Sequence, residues 1–175
     1  MRSLTAALLL LASFGVQAQV PESFTLESLE GVSYTLPDEQ HGVGIYLFWA
    51  SWCPYCKALM PHIQSILDEY GDHITVYALN FRDRNDPAEL IAENGYGFVV
   101  FPDAGDVAAS WGVHGTPGLF IIDESRTVRL NLYDVIADNP PGYDALSHAQ
   151  KAARRAPFWA ARIRETLDEV IGSGR

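Results

Sequence analysis

Cys53-Pro54-Tyr55-Cys56 is the segment whose residue types and spacing point most directly to chemistry, and it holds the only two cysteines of the chain. Two thiols at this spacing lie one turn apart when the second is helical, near enough to oxidise to a disulfide and be reduced again. A disulfide stabilises chiefly by closing a loop of the unfolded chain, and a ring this short removes little entropy. The pattern therefore favours reversible redox chemistry over a structural crosslink.

The elements that must position these thiols are legible on either side. The apolar run Gly44 to Trp49 reads as a buried strand leading into them. From Pro54 a helical pattern runs to about Tyr70, with Leu59, Ile63, Ile66, Leu67 and Tyr70 on one face and Gly71 as its stop. Cys53 then sits at a helix amino terminus, where unpaired N–H groups and the macrodipole favour a thiolate. Pro54 suits the first helical position, since its missing N–H has no helical acceptor there. Upstream, Phe24 to Leu36 reads as a hairpin about Glu30-Gly31. Downstream come a strand over Ile74 to Leu79, a short helix from Asp86-Pro87 to Asn94-Gly95, and a brief strand over Phe98 to Phe101. A helix over Val107 to Trp111 and a second hairpin, Leu119 to Ile122 with Val128 to Tyr133, follow. Asn139-Pro140-Pro141-Gly142 breaks the chain before two helical stretches, Tyr143 to Arg155 and Pro157 to Ile171. Phe158, Trp159, Ile163, Leu167 and Val170 give the second an apolar face, expected to dock on the sheet.

Phe48-Trp49-Ala50-Ser51-Trp52-Cys53-Pro54-Tyr55-Cys56-Lys57, Pro61 five places after the second cysteine, and Gly112-Val113-His114-Gly115-Thr116-Pro117 together resemble the thioredoxin superfamily. The resemblance covers roughly Gly44 to Tyr133. With an amino-terminal leader and hairpin the chain looks like the exported TlpA/ResA-type branch of thiol-disulfide oxidoreductases. The expected fold is an α/β, thioredoxin-like three-layer sandwich with an amino-terminal β-hairpin extension and an extra carboxy-terminal helix. The resemblance implies that Cys53 is the exposed nucleophile and Cys56 the buried resolving thiol. It also implies a cis Thr116–Pro117 bond facing the two sulfurs. Substrate contacts are expected from Trp52, Pro54, Tyr55, Thr116 and Pro117, with Trp49 in the core. Tyr55 either modulates the exposed sulfur through its ring or covers the site.

The chain departs from the family pattern at three positions. Thioredoxins commonly bury an acid in the strand before the motif, and Leu47 stands there; ResA-type relatives often place a glutamate three residues after the second cysteine, and Leu59 stands there. A buried carboxylate can carry the proton of the resolving thiol, so water or a residue outside the motif is expected to do so here. Gly118 replaces the bulkier polar residue that many relatives carry after the cis-proline. No cofactor and no metal site are expected. His62 on the helix and His114 near Pro117 fall short of four zinc ligands, and Lys57 stands where covalent haem attachment needs a histidine. Copper(I) on the two thiolates is the alternative from a non-enzymatic class.

Arg2, the apolar stretch Leu4 to Val16 and Val16-Gln17-Ala18 read as a signal peptide over residues 1–18, leaving one thioredoxin-like domain over residues 19–175. The formal net charge of −10 becomes about −11 once Arg2 is removed, which argues against nucleic acid and anionic lipid as partners. The expected setting is the periplasm, with no stable membrane insertion after cleavage. The expected partners are protein thiol or disulfide substrates and a membrane-bound or periplasmic redox protein. A reductant role, with cytochrome c maturation as one pathway, is preferred; proline directly after Cys53 leaves a thiol-oxidase role as the enzymatic alternative.

Overall fold

The computed structural model describes residues 21–135, 139 and 142–172, so the expected signal peptide over residues 1–18 and Pro140-Pro141 of the expected break lie outside the described residues. Strands β1 (Phe24–Glu27) and β2 (Ser33–Leu36) form the expected hairpin. They are followed by β3 (Val43–Trp49), α1 (Pro54–Tyr70), β4 (Ile74–Asn80), α2 (Pro87–Asn94), β5 (Val99–Phe101), α3 (Gly105–Ser110), β6 (Gly118–Ile122), β7 (Val128–Asn131) and α4 (His148–Gly172). The main sheet has the order β5-β4-β3-β6-β7, parallel from β5 to β3 and antiparallel from β3 through β6 to β7.

Period-two alternation in β3 divides the core between the two faces of the sheet. Ile45, Leu47 and Trp49 point into one cluster with Leu59, Met60 and Ile63 of α1 and Ile163 and Leu167 of α4. Tyr46 and Phe48 point into the other, with Val107 and Ala108 of α3 and, at its border, Phe24, Leu26 and Tyr34 of the hairpin. Helices, sheet, and α3 with the hairpin are the three layers of the expected thioredoxin-like sandwich. Asp86 caps α2 by accepting from the Ala88 N–H, and Gly95 closes it in the left-handed region, as the sequence suggests. Gly71 ends α1 at φ +54°, a region that most side chains avoid.

Three boundary expectations are corrected. The third helix lies at Gly105–Ser110, earlier than Val107 to Trp111, because its first turn starts from the Ala104 carbonyl accepting the Ala108 N–H. β7 stops at Asn131, whose side chain accepts from the Tyr133 N–H and turns Leu132–Asp134 into a 3-10 helix. The two carboxy-terminal helices are one. Tyr143–Ala145 is only a 3-10 turn, and α4 runs unbroken through Pro157. An interior proline costs about 3 kcal/mol. Burial of Ala152, Ala156, Ala160, Ile163 and Leu167 along one face offsets it. That face docks chiefly on α1 and reaches the expected sheet through its edge strand β7, while Phe158 turns outward. No described helix is long and apolar enough to cross a membrane.

Candidate active site

Both cysteines are free thiols at the amino end of α1. Cys53 is the N-cap residue: its backbone is extended (φ −78°, ψ 113°), and its Sγ accepts the Cys56 N–H at 3.1 Å, the place a serine or aspartate oxygen takes in other helices. Its carbonyl accepts the Lys57 N–H at 3.1 Å, the first bond of the helix. Capping corrects the expectation of an exposed nucleophile. To reach the helix N–H groups the sulfur must fold inward, and Cys53 is only 2% accessible, with Cys56 fully buried beneath it.

On the other side of Cys53 lies the Thr116–Pro117 loop. The bond is cis, as expected, and the Thr116 carbonyl lies 3.5 Å from Cys53 Sγ. Register accounts for the encounter: β6 pairs antiparallel with β3 so that Gly118 faces Phe48, bringing the residues before β6 over the residues after β3. Sequence reasoning missed the residue that holds this loop. Tyr133 donates from its hydroxyl to the Gly115 carbonyl (2.5 Å), accepts the Gly115 N–H (3.3 Å), and stacks on His114 with ring centroids 5.4 Å apart. This explains Gly118, since a Cβ there would stand 2.9 Å from the Tyr133 hydroxyl and 3.0 Å from Val113 Cγ1.

A second missed group anchors the turn before Cys53. Asp83, just after β4, accepts from the Ser51 N–H, from Ser51 Oγ (2.9 Å), from Asn80 Nδ2 (3.0 Å) and from the Arg84 and Asn85 N–H groups (2.9 and 3.2 Å). Burial alone would raise its pKa, but these donors hold it at about 2. Its neighbour Arg82 receives the Trp52 indole N–H on its carbonyl (3.0 Å) and donates from its guanidinium to the His114 carbonyl (3.3 Å). One loop thus braces both the motif turn and the cis-proline loop. Trp52 remains 57% accessible beside the thiols, whereas Trp49 is buried in the core as expected.

Tyr55 is half-buried against the last helix. Its ring meets those of His148 and Trp159 at 6.2 and 6.1 Å, and burial together with Tyr143 raises its phenol pKa. Of the two expectations for Tyr55, contact with α4 favours covering the site. Leu47 and Leu59 are fully buried in the core cluster that contains both cysteines. Among the described residues, no three of His, Cys, Asp and Glu form a group that could hold a metal.

The electrostatics separate the two sulfurs. The hydrogen bond with Cys56 leads in lowering the Cys53 thiol to about 6, against burial and with help from Thr116 and the N–H groups of Cys56 and Tyr55. Burial, then the hydrogen bond and charge of Cys53, push Cys56 well above the ordinary thiol range. Titration of thiolate absorbance in the reduced protein is therefore expected to show one equivalent with a midpoint near pH 6 and no second below its usual 9.0. Between those values the unfolded chain holds a proton that folded Cys53 has lost, so the stability of the reduced form rises with pH from 6 to 9. The gain is lost as pH falls through 6. Urea midpoints that are flat over this window in the reduced protein would contradict the assignment.

The sequence and structure of the chain are similar to known proteins in ways that bear on this geometry. A model of the AhpC/TSA family matches residues 16–131. The thiol-disulfide oxidoreductase ResA of Halalkalibacterium halodurans is 32% identical over 118 residues, 65% of each chain, so the chain spans just under two thirds of that relative's length. A crystal structure from Chlorobium tepidum, provisionally assigned as thiol:disulfide interchange protein DsbE, aligns with TM-score 0.60 and 27% identity over 78% of this chain and 96% of that one. A hypothetical protein from Sinorhizobium meliloti shares the fold over 93% of this chain and 87% of its own, with TM-score 0.66 and 21% identity.

Proposed function

The chain belongs to the AhpC/TSA family, and from that membership and the site we propose that it exchanges disulfides with protein clients through Cys53 and Cys56, acting as a reductant outside the cytoplasm. The observation that carries this is the capping geometry. One sulfur caps the helix beside the Thr116 carbonyl with its thiol lowered to about 6, and a second sulfur, pushed well above the ordinary thiol range, waits one turn inside the helix.

In this reading the Cys53 thiolate attacks one sulfur of a client disulfide. A mixed disulfide forms, and the other client sulfur leaves as a thiolate that takes a proton from solvent. Cys56 then loses its proton and attacks Cys53 Sγ, closing the Cys53–Cys56 disulfide and releasing the second client thiol. Two electrons pass to the client, and a reduced thiol partner, periplasmic or membrane-bound, must restore the pair. Water or a residue outside the motif accepts the Cys56 proton, since the two positions where relatives carry an acid are the buried Leu47 and Leu59. Trp52, Pro54, Thr116 and Pro117 border the reacting sulfur and supply the client contacts, with Tyr55 closing one side. Residues 1–18 act as the export signal for a single domain over 19–175, and the class of clients includes haem-binding cysteine pairs awaiting reduction.

The reduction potential of the Cys53–Cys56 couple tests the direction. A value near about −270 mV supports a reductant, and one near about −120 mV overturns that direction in favour of a thiol oxidase. Its pH dependence tests the site. Below pH 6 two protons accompany two electrons and the slope is about −59 mV per pH unit; above it one proton remains on Cys56 and the slope halves to about −30 mV. A slope unchanged through pH 6 contradicts a lone low-pKa thiol.

A further inference from the structure

Helices α1 and α4 run parallel. At their carboxy ends the Tyr70 hydroxyl bonds Asp168 Oδ1 (2.7 Å) and the Arg164 carbonyl (3.3 Å); at the other end Tyr55 meets His148 and Trp159. The first turns of α4 therefore stand beside the amino end of α1, which Cys53 caps. They rest on Tyr143, itself only 8% accessible, whose hydroxyl accepts from Arg155 Nε at 3.0 Å and whose ring faces the Arg155 guanidinium at 5.1 Å and the Lys151 ammonium at 5.5 Å. This wall is packed and hydrogen-bonded, and it is continuous with Tyr55 of the redox motif.

Its charge runs against both the chain and the helix. From His148 to Phe158 the helix carries Lys151, Arg154 and Arg155 and no Asp or Glu, in a protein of formal charge −10. The second half of α4 is ordinary: Arg162 pairs with Glu165, and Arg164 with Glu69 at 2.7 Å. Lys151 and Arg154 form no ion pair among the described residues. The amino end of a helix carries positive partial charge, so cations there are unfavourable and acids are preferred. Asp144, in the adjoining 3-10 turn, is the one acid in the segment from Tyr143 to Phe158. Lys151 stands in the first turn, where helix electrostatics disfavour a cation, and with Arg154 and Arg155 of the next turn it makes a cationic block on the part of α4 that meets Tyr55 of the redox motif, which suits an anionic partner.

We propose that the first two turns of α4, seated on Tyr143, form a selection wall for protein clients that carry Asp or Glu beside the reacting cysteine. The wall deepens the disulfide-exchange reading and rests on it. The client segment lies extended between this wall and the Trp52 side of the site, its sulfur at Cys53 and its carboxylates at Lys151 and Arg154.

The test compares two peptide disulfides of equal length, one with Glu and one with Lys flanking the cysteine. At low salt the native protein is expected to prefer the acidic peptide by about tenfold in kcat/KM, and the preference shrinks at about 0.5 M salt. In K151E/R154E the ratio inverts, and in K151Q/R154Q, which retains good helix formers, it falls to near one. A distorted active site changes both rates and leaves their ratio in place. Equal native rates with the two peptides overturn the proposal, as does a ratio that survives charge reversal. Neutral hydroxyethyl disulfide separates the two levels: if the native protein reacts with none of the three disulfides, it is the exchange reading that fails. Calorimetric binding of the same peptides with serine in place of cysteine then decides the wall, acidic preference supporting it and equal affinity refuting it.

Discussion

Cys56→Ser is expected to turn exchange into a trap: the protein should attack a client disulfide once and remain joined to it through Cys53. The asymmetry follows from the cap. Cys53 Sγ is held by the Cys56 N–H at 3.1 Å and neighbours the Thr116 carbonyl at 3.5 Å, while Cys56 has no accessible surface from which to meet a client. Cys56→Ser loses the thiol that leads in lowering Cys53 but puts a hydroxyl donor in its place and keeps the capping N–H, which belongs to the backbone, so the first attack survives. Only the internal resolution is lost. Cys53→Ser should instead lower exchange by more than about a thousandfold, since a hydroxyl at this pH is no substitute for a thiolate nucleophile. Non-reducing electrophoresis with a disulfide-bearing client distinguishes the variants: a persistent adduct with Cys56→Ser and none with Cys53→Ser. Adducts formed equally by both variants would mean that the sulfurs are interchangeable, and the roles assigned here would fall.

Asp83→Ala carries the second large expectation, a loss of stability of about 2 kcal/mol with a fall of about 4–8 °C in the melting midpoint. The carboxylate gathers five donors, three of them backbone N–H groups, and alanine leaves the partly buried Ser51 N–H without its acceptor. Because Ser51 and Trp52 lead directly into Cys53, the same variant should raise the Cys53 thiolate midpoint above 6 by loosening the cap. Asp83→Asn keeps the shape but turns one acceptor into a donor facing other donors, and should also be destabilised. The aspartate is ionised in the fold down to about pH 2, against its usual 3.8, so its contribution is complete above that usual value and disappears as pH falls through 2. Melting midpoints of native and Asp83→Ala protein that coincide at pH 7 would remove the brace from the account.

Local patterns in the chain were enough to specify the elements. The apolar run of β3, the apolar face of α1, the Asp86 and Gly95 caps and the first hairpin are each written within a few residues and appear where the sequence puts them, and the second hairpin forms with its last strand cut short at Asn131. The redox motif and the Thr116–Pro117 loop were legible as well, through family resemblance. Pro157 misled because a local helix-breaking preference, read alone, omits the burial of Ala156, Ala160 and Ile163 that carries α4 through it. The exposed Cys53 misled for a related reason: helix-end position was correct, but which way the sulfur turns depends on the N–H it caps.

What sequence by itself determined is thus the chemistry available, two thiols one turn apart at a helix start, and the periodic elements that frame them. What only tertiary structure decided is the company those thiols keep. Parallel pairing of Trp49 with Asn80 brings Asp83 to Ser51 across 32 residues, and pairing of Phe48 with Gly118 brings Thr116 to Cys53 across 63. Parallel packing of α4 on α1 brings Tyr143 and the basic turns beside Tyr55. Hydrophobic periodicity fixes which face of each element is buried, but it carries no information on which distant loop meets the end of a strand; strand register and helix packing set that.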